Sequence, residues 1–304
     1  MFIIKHKKIF VLISTTLVIL SILSLSIFGL NIGIDFRGGA LIEVVYNQAP
    51  RPAQDILNKN LEALNFGTIS LQPTGELGYI VKSRDLNDSE HSLLLKTLAD
   101  GDESKITETS FNSIGPTVGR ELTRKAIIAI IMVSLTIICF IAFAFRHVSK
   151  PVSSWRYGFI AIVTLLHDVL IPVGLFSAFS HYYGVEIDAL FVVAVLTILG
   201  LSVSDTIVIF DRIRENLKNQ SARVNENFGE IVGKSLDQSY VRSISTSLTV
   251  ILVLLALVFF GPETTKYFAL MLTAGMFFGT YSSIFLASPL LVIVSEWQTK
   301  RKKS

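Results

Sequence analysis

The sequence predicts a polytopic α-helical membrane protein: one transmembrane helix, a small α+β domain outside the membrane, then five more transmembrane helices. Two observations carry this. The 304 residues are 51% hydrophobic and only 17% charged, with a mean hydropathy of +0.57, well outside the range of soluble globular chains. The apolar residues also gather into six long runs, and about 90 mixed residues separate the first from the second.

A bilayer core of about 30 Å needs roughly 20 apolar residues per helix. Ile9 to Leu30 is the first such run. Lys5, Lys7 and Lys8 precede it as in a signal peptide, but it exceeds the usual h-region of ~7 to 15 residues and no A-x-A site closes it, so it reads as an uncleaved span. The others are Ala126 to Phe145, Gly158 to Ser180, Ala189 to Phe210, Ser243 to Phe260 and Tyr267 to Val294.

Lys and Arg near the span ends set orientation. Lys5, Lys7 and Lys8, then Arg146, Lys150 and Arg156, then Arg212, Arg214 and Lys218, and finally the tail Lys300 to Lys303 share one side, the cytoplasm. The opposite short loops, HYYGVEID and GPETTK, carry only Lys266. Both termini are therefore expected inside.

The outside segment alternates strand and helix patterns. LIEVVY (Leu41 to Tyr46) has strand propensity, and PAQDILNKNLEAL (Pro52 to Leu64) puts Ile56, Leu57, Leu61 and Leu64 on one helical face behind a proline suited to a first turn. GTISLQ and LGYIVKS flank the turn PTGE as a hairpin. DSEHSLLLKTLA opens with an Asp cap and carries Leu94, Leu95 and Leu98; Lys105 to Ile114 alternates again. The order β-α-β-β-α-β is that of a ferredoxin-like domain.

Polar groups at membrane depth are the candidate functional residues. Asp205 lies in an apolar run, roughly 7 to 8 Å to the cytoplasmic side of the span centre at 1.5 Å per residue. An aspartate at a helix centre costs about 2.5 to 3.5 kcal/mol and therefore faces a bundle interior or wet cavity with a partner. Arg242, Ser245, Thr246 and Thr249 recur at i, i+3, i+4 and i+7 on the fifth span, so an Asp205 to Arg242 pair with Thr246 beside it is expected, and movement of Arg242 would switch Asp205 between holding and releasing a proton. Ser245 and Thr249 are either pathway hydroxyls or groups bonded to the preceding turn. His167 and Asp168, near the middle of the third span with Thr164 one turn away, are either a proton site or a packing contact.

Other features constrain the reading. No G-x-S-x-G, H-E-x-x-H or Walker pattern occurs, so no enzyme activity is expected. Cys139 sits in an apolar run as a small core residue, and a net charge of +3 with the basic residues beside the spans points to lipid headgroups rather than nucleic acid. Gly275 and Gly279, followed by Ser282 and Ser283, mark close helix packing. FDRIRENLKNQ, with Phe210, Ile213 and Leu217, reads as an amphipathic helix on the inner surface or against a partner, followed by a loop from Gln220 to Gln238.

GIDFRGG (Gly33 to Gly39), GPTVGREL (Gly115 to Leu122), the His167-Asp168 pair, SDTIVIFDRIREN (Ser204 to Asn216) and RSISTSLT (Arg242 to Thr249) occur in this order around a one-plus-five span layout. Together they resemble the SecD/SecF family, in its SecF branch, within the resistance-nodulation-division transporter superfamily. The resemblance implies a periplasmic ferredoxin-like domain and a subunit that uses the proton-motive force to assist Sec-dependent preprotein translocation across the inner membrane. It assigns proton conduction to Asp205, Arg242 and Thr246, and needs no cofactor beyond the proton gradient. It implies as partners a SecD-like subunit in a heterodimer, the SecYEG channel with a YajC-like accessory subunit, preprotein and membrane lipids. Asp35, Arg37, Gly38 and Gly39 then read as a hinge between domain and bundle. The expected bounds are 1–30 for the N-terminus and first helix, 31–122 for the periplasmic domain, 123–297 for the five-helix bundle and 298–304 for the basic tail. The rival is a proton-coupled exporter of small amphiphiles or lipids.

Overall fold

The computed structural model describes residues 2–48, 50–67, 69–144, 154–220 and 227–303. Arg146 and Lys150 of the expected basic loop lie outside the described residues. In chain order the elements are α1 (Phe2–Lys5), α2 (Lys7–Phe28), α3 (Ile34–Arg37), β1 (Gly39–Tyr46), α4 (Gln54–Glu62), β2 (Ser70–Thr74), β3 (Gly78–Ser83), α5 (Asp88–Leu98), β4 (Ile106–Ile114), α6 (Pro116–Ala144), α7 (Ser154–Tyr183), α8 (Ala189–Gln220), α9 (Phe228–Phe260), α10 (Glu263–Ser282) and α11 (Ser288–Lys303). Among the described residues six stretches are long and apolar enough to cross a membrane, the last formed by α10 and α11 together. The chain divides into two compact units, one running from Ile32 to Ile127 and the other holding α1, α2 and everything from Ile128 onward.

The smaller unit is the four-stranded antiparallel sheet β2-β3-β1-β4 with α4 and α5. Its β-α-β-β-α-β order is the one read from the sequence. Side chains alternate across a strand, so β1 turns Ala40, Ile42, Val44 and Tyr46 into the core, where they meet Val81, Leu57, Leu61, Leu94 and Leu98. The register sets Ile42 opposite Val81 on one side and Phe111 on the other. The face expected for α4 is narrower than predicted: Leu57 and Leu61 are buried, but Ile56 is 59% exposed, because it sits about 100° round the helix from Leu57. The α5 cap is Asn87 rather than Asp88. Its side chain accepts from the Glu90 N–H at 2.9 Å, and the Glu90 carboxylate accepts from the Asn87 N–H at 3.1 Å, a reciprocal box. The Tyr46 hydroxyl donates to the Leu98 carbonyl at 2.7 Å, and burial pushes that phenol up to about 12.

In the larger unit, small residues decide which helices meet. A Cβ at Gly174 of α7 would lie 2.6 Å from the Ser21 Cα of α2. Ser24 donates to the Gly174 carbonyl at 2.8 Å, and Ser177 donates to the Gly29 carbonyl at 2.5 Å. The Gly275 and Gly279 faces of α10 press on Ile198 and Ser202 of α8, as the G-x-x-x-G spacing predicts. Two prolines interrupt the hydrogen-bond ladder. Pro172 cannot donate to the Asp168 carbonyl four residues earlier. Pro289 likewise leaves the Phe285 carbonyl without its usual donor, and a π-helical turn, Ser283–Ala287, takes up the mismatch just before it.

Three expectations change here. FDRIREN does not form a separate surface helix: α8 runs on to Gln220, and Phe210 and Ile213 are buried in the core of the unit. Of the expected loop from Gln220 to Gln238, residues 221–226 lie outside the described residues, and from Phe228 the segment is helical as the start of α9, where the Asn227 N–H donates to the Glu230 side chain at 3.3 Å. Cys139 is exposed on α6, because in a lipid-facing span an apolar position need not point inward.

Candidate functional site

Two carboxylates, one buried and one half-buried, lie among α7, α8, α9 and α10. Asp168 is fully buried. It is 2.8 Å from His167 Nδ1 and accepts from Ser282 Oγ at 2.7 Å and from Ser202 Oγ. Asp205, half-buried, accepts from Ser247 Oγ and Thr280 Oγ1, each at 3.3 Å, and the two hydroxyls are 2.5 Å apart. Helix periodicity explains the sharing. Ser202 and Asp205 are three apart on α8 and so share a face, while Thr280 and Ser282, two apart at the end of α10, reach one carboxylate each. The two carboxylates lie within electrostatic reach of each other.

The expected Asp205 to Arg242 ion pair is not formed in this chain. Ser247, which does reach Asp205, lies five residues after Arg242 and so roughly 140° round α9. Arg242, Ser245, Thr246 and Thr249 all occupy the exposed face, while Ser243 and Ser247 face inward. Thr246 donates to the Arg242 carbonyl at 2.9 Å and Thr249 to the Ser245 carbonyl at 2.8 Å. Arg242 instead lines a polar cleft of about 140 Å³ between α8 and α9 with Asp211, Arg212, Glu215, Gln238 and Ser239. Thr164 is buried and donates to the Ala161 carbonyl at 2.9 Å, away from Asp168.

Sequence reasoning missed Ser247, Thr280 and Ser202 altogether and placed Ser282 only in packing. Ser247 had a signal: Ser243 and Ser247 form their own i, i+4 stripe beside the one chosen. A separate pocket of about 320 Å³ between α7, α9 and α10, lined by Pro172, Phe176, Ile251, Met271 and Phe277 among others, is almost wholly apolar.

The family model of the SecD/SecF protein export membrane protein C-terminal region matches residues 94–297, and that of the SecD/SecF GG motif matches residues 23–50. The chain belongs to the SecD/SecF family. Its SecF kinship covers nearly its whole length. It is 43% identical to the protein translocase subunit SecF of Thermobaculum terrenum over 98% of this chain and 94% of that one, and 36% identical to that of Anaerolinea thermophila over 99% and 97%. The crystal structure of SecDF, a translocon-associated membrane protein from Thermus thermophilus, superposes with a TM-score of 0.79 at 30% identity. The match covers 96% of this chain and 38% of that longer one. Six apolar spans and this kinship make the chain a multi-pass inner-membrane protein.

The SecD/SecF GG motif is the pair Gly38 and Gly39, and its geometry requires glycine. Gly38 has φ +84° and Gly39 φ +146°, which L side chains rarely adopt. A Cβ on Gly38 would come 2.8 Å from the Pro116 Cα, and one on Gly119 would come 2.8 Å from the Gly38 nitrogen. GIDFRGG and GPTVGREL therefore interlock, backbone against backbone, where β1 begins and α6 begins. Asp35 and Arg37 belong to the single turn α3 before this joint.

Proposed function

We propose that this chain is the SecF half of a SecD–SecF pair that uses the proton-motive force to assist preprotein translocation, without enzymatic chemistry of its own. The observation that carries the reading is the relation between Asp205 and α9. Asp205 is held by two hydroxyls with no cation paired to it among the described residues, while α9 presents Arg242, Ser245, Thr246 and Thr249 on a face that is exposed among the described residues. Polar groups exposed at membrane depth are disfavoured against lipid and call for a protein or a wet cavity beside them. A second six-helix chain on that face would supply both, since repeat-built transporters place coupling sites between halves. Arg242 and Thr246 then join Asp205 once the partner is seated. Asp35, Arg37, Gly38 and Gly39 would carry bundle motion to the periplasmic domain. Both termini, with Lys5, Lys7 and Lys8 and the tail from Lys300, would be cytoplasmic. SecYEG, a YajC-like subunit and the preprotein are the further partners.

The apolar 320 Å³ pocket is the one observation that favours the rival, export of small amphiphiles or lipids. One experiment separates the two. The native complex is purified, and gradient-driven preprotein export is measured with Asp205→Asn and Arg242→Met. Co-purification of a SecD-like chain and a loss of gradient-dependent export of tenfold or more are expected. Absence of that chain, or unchanged export in both variants, refutes the proposal.

A further inference from the structure

The reading of Asp205 leaves one buried titratable pair unused. Asp168 is 0% and His167 2% exposed, so bulk water and lipid are both out of reach. The donors to the Asp168 carboxylate come from three helices: His167 on α7, Ser202 on α8 and Ser282 on α10. The only cationic group paired with it among the described residues is His167. Unneutralised charge is strongly disfavoured at membrane depth. With Nδ1–H bonded to a bare carboxylate and Nε2 unprotonated, the pair carries one negative charge. One added proton, placed on Nε2, makes it neutral, and a second makes it a buried cation. One added proton is therefore the stable count, and the bond from Nδ1 to the carboxylate is the same before and after.

Nε2 itself is the exchange point. It is buried and has no hydrogen-bond partner among the described residues, and neither has the Tyr281 hydroxyl. The Tyr281 ring is stacked against His167, 6.2 Å between centroids and 18° from parallel. Two unpartnered polar groups on neighbouring buried rings are the kind of site a water satisfies, and a histidine tied at one nitrogen and open at the other is built to pass a proton. Tyr281 is followed within two residues by the π-helical turn that begins at Ser283, a widening of the helix found often at functional sites. Of the groups that face the pair from packed elements, Asp205 on α8 and Tyr281 on α10 are titratable, while α2 meets α7 through Ser21 and Ser24.

We propose that His167 and Asp168 form a second proton-binding centre, distinct from Asp205, which holds one proton per chain and exchanges it with a water at His167 Nε2. A hydronium donates to Nε2 and leaves as water; the reverse step releases the proton. Ser202 and Ser282 are positioning residues that hold the carboxylate still. The inference rests on the proposed use of the proton gradient only for its role in export, not for the binding itself.

The test is nitrogen-15 NMR of the histidine-labelled full chain with its partner in lipid nanodiscs, from pH 5 to 9. One imidazole signal, lost in His167→Gln, should keep Nδ1 protonated throughout and change at Nε2 in a single one-proton step. The step should persist in Asp205→Asn. It should move tenfold or more in proton affinity in Asp168→Asn and several-fold in the milder Ser282→Ala. Constant Nε2 protonation across the range, or a step that neither Asp168→Asn nor Ser282→Ala moves, overturns the proposal. If Asp205→Asn and Arg242→Met both export normally while the His167 step is present, the proposed gradient use fails and this centre stands.

Discussion

Replacing Gly38 by alanine tests whether the two glycine-containing motifs are one mechanical joint. Gly38 and Gly67 share a positive φ, +84° and +81°, so alanine is strained at either site, and at Gly38 the ψ of 154° places the backbone in a region reserved almost entirely for glycine. Their surroundings differ. Among the described residues nothing beyond its chain neighbours lies within 4 Å of a Cβ at Gly67, whereas at Gly38 it meets the Pro116 Cα at 2.8 Å, the Pro116 nitrogen at 3.0 Å and the Ile114 carbonyl oxygen at 3.2 Å. Those are backbone atoms that cannot rotate aside, and relieving such overlap costs about 1 to 3 kcal/mol. Gly38→Ala should therefore destabilise the small unit by at least that much more than Gly67→Ala does. Entropy lost from the unfolded chain is common to both and cancels. Hydrogen exchange of peptides covering β1 and β4 in the full chain reads the difference directly. At 1.4 kcal/mol per factor of ten it should appear as roughly 5- to 150-fold faster exchange in the Gly38 variant. Equal exchange in the two variants would show that β1 and α6 are not packed through Gly38.

Further outcomes follow from other contacts. Leu94→Ala, at a fully buried position between the sheet and α4, should cost about 2 to 5 kcal/mol of the small unit's stability in the same exchange assay. Glu90 is held down to about 2 from its ordinary 4.5 by the Arg84 guanidinium and then by the Asn87 N–H. Its folded value lies below its unfolded one, so its contribution is present above pH 4.5 and fades as pH falls toward 2. The helical circular dichroism of α5 should weaken in that window in the wild type, and Glu90→Gln should flatten the dependence. Gly174→Val puts a branched side chain where even a Cβ lies 2.6 Å from the Ser21 backbone. It should separate α2 from α7, which cysteine cross-linking between positions 24 and 177 would register as a loss of yield.

The element order was legible because its signals are local. Six apolar runs mark the spans, and the alternation at Leu41 to Tyr46 and Lys105 to Ile114 marks the first and last strands of the sheet in chain order. The site was legible only in part. His167 and Asp168 are neighbours in the chain, and their contact survives any choice of packing. The partners of Asp205 are on other helices, and choosing among them requires knowing which side of α9 faces inward. Apolarity gives no answer there, because lipid is as apolar as a helix bundle and both sides of α9 look alike. The stripe of Arg242, Ser245, Thr246 and Thr249 was a true stripe on the outward side, while Ser247 was the group aimed at the carboxylate. Thr280 and Ser282 were hidden for a related reason: Ser282 read only as part of the close packing at Gly275 and Gly279 and Thr280 carried no signal of its own, yet their hydroxyls are what α10 brings to the two aspartates.

The seam between α2 and α7 sets a schedule for the growing chain. Ser24 finds the Gly174 carbonyl only across 150 residues of sequence, and ribosomes add about 5 to 20 residues per second. The first span therefore waits roughly 8 to 30 seconds after its own synthesis before the helix it fits exists. Through that interval its serines can bond only to their own helix, as Ser21 does to the Leu17 carbonyl, so the partner-free state of α2 is a built-in stage of every molecule's assembly.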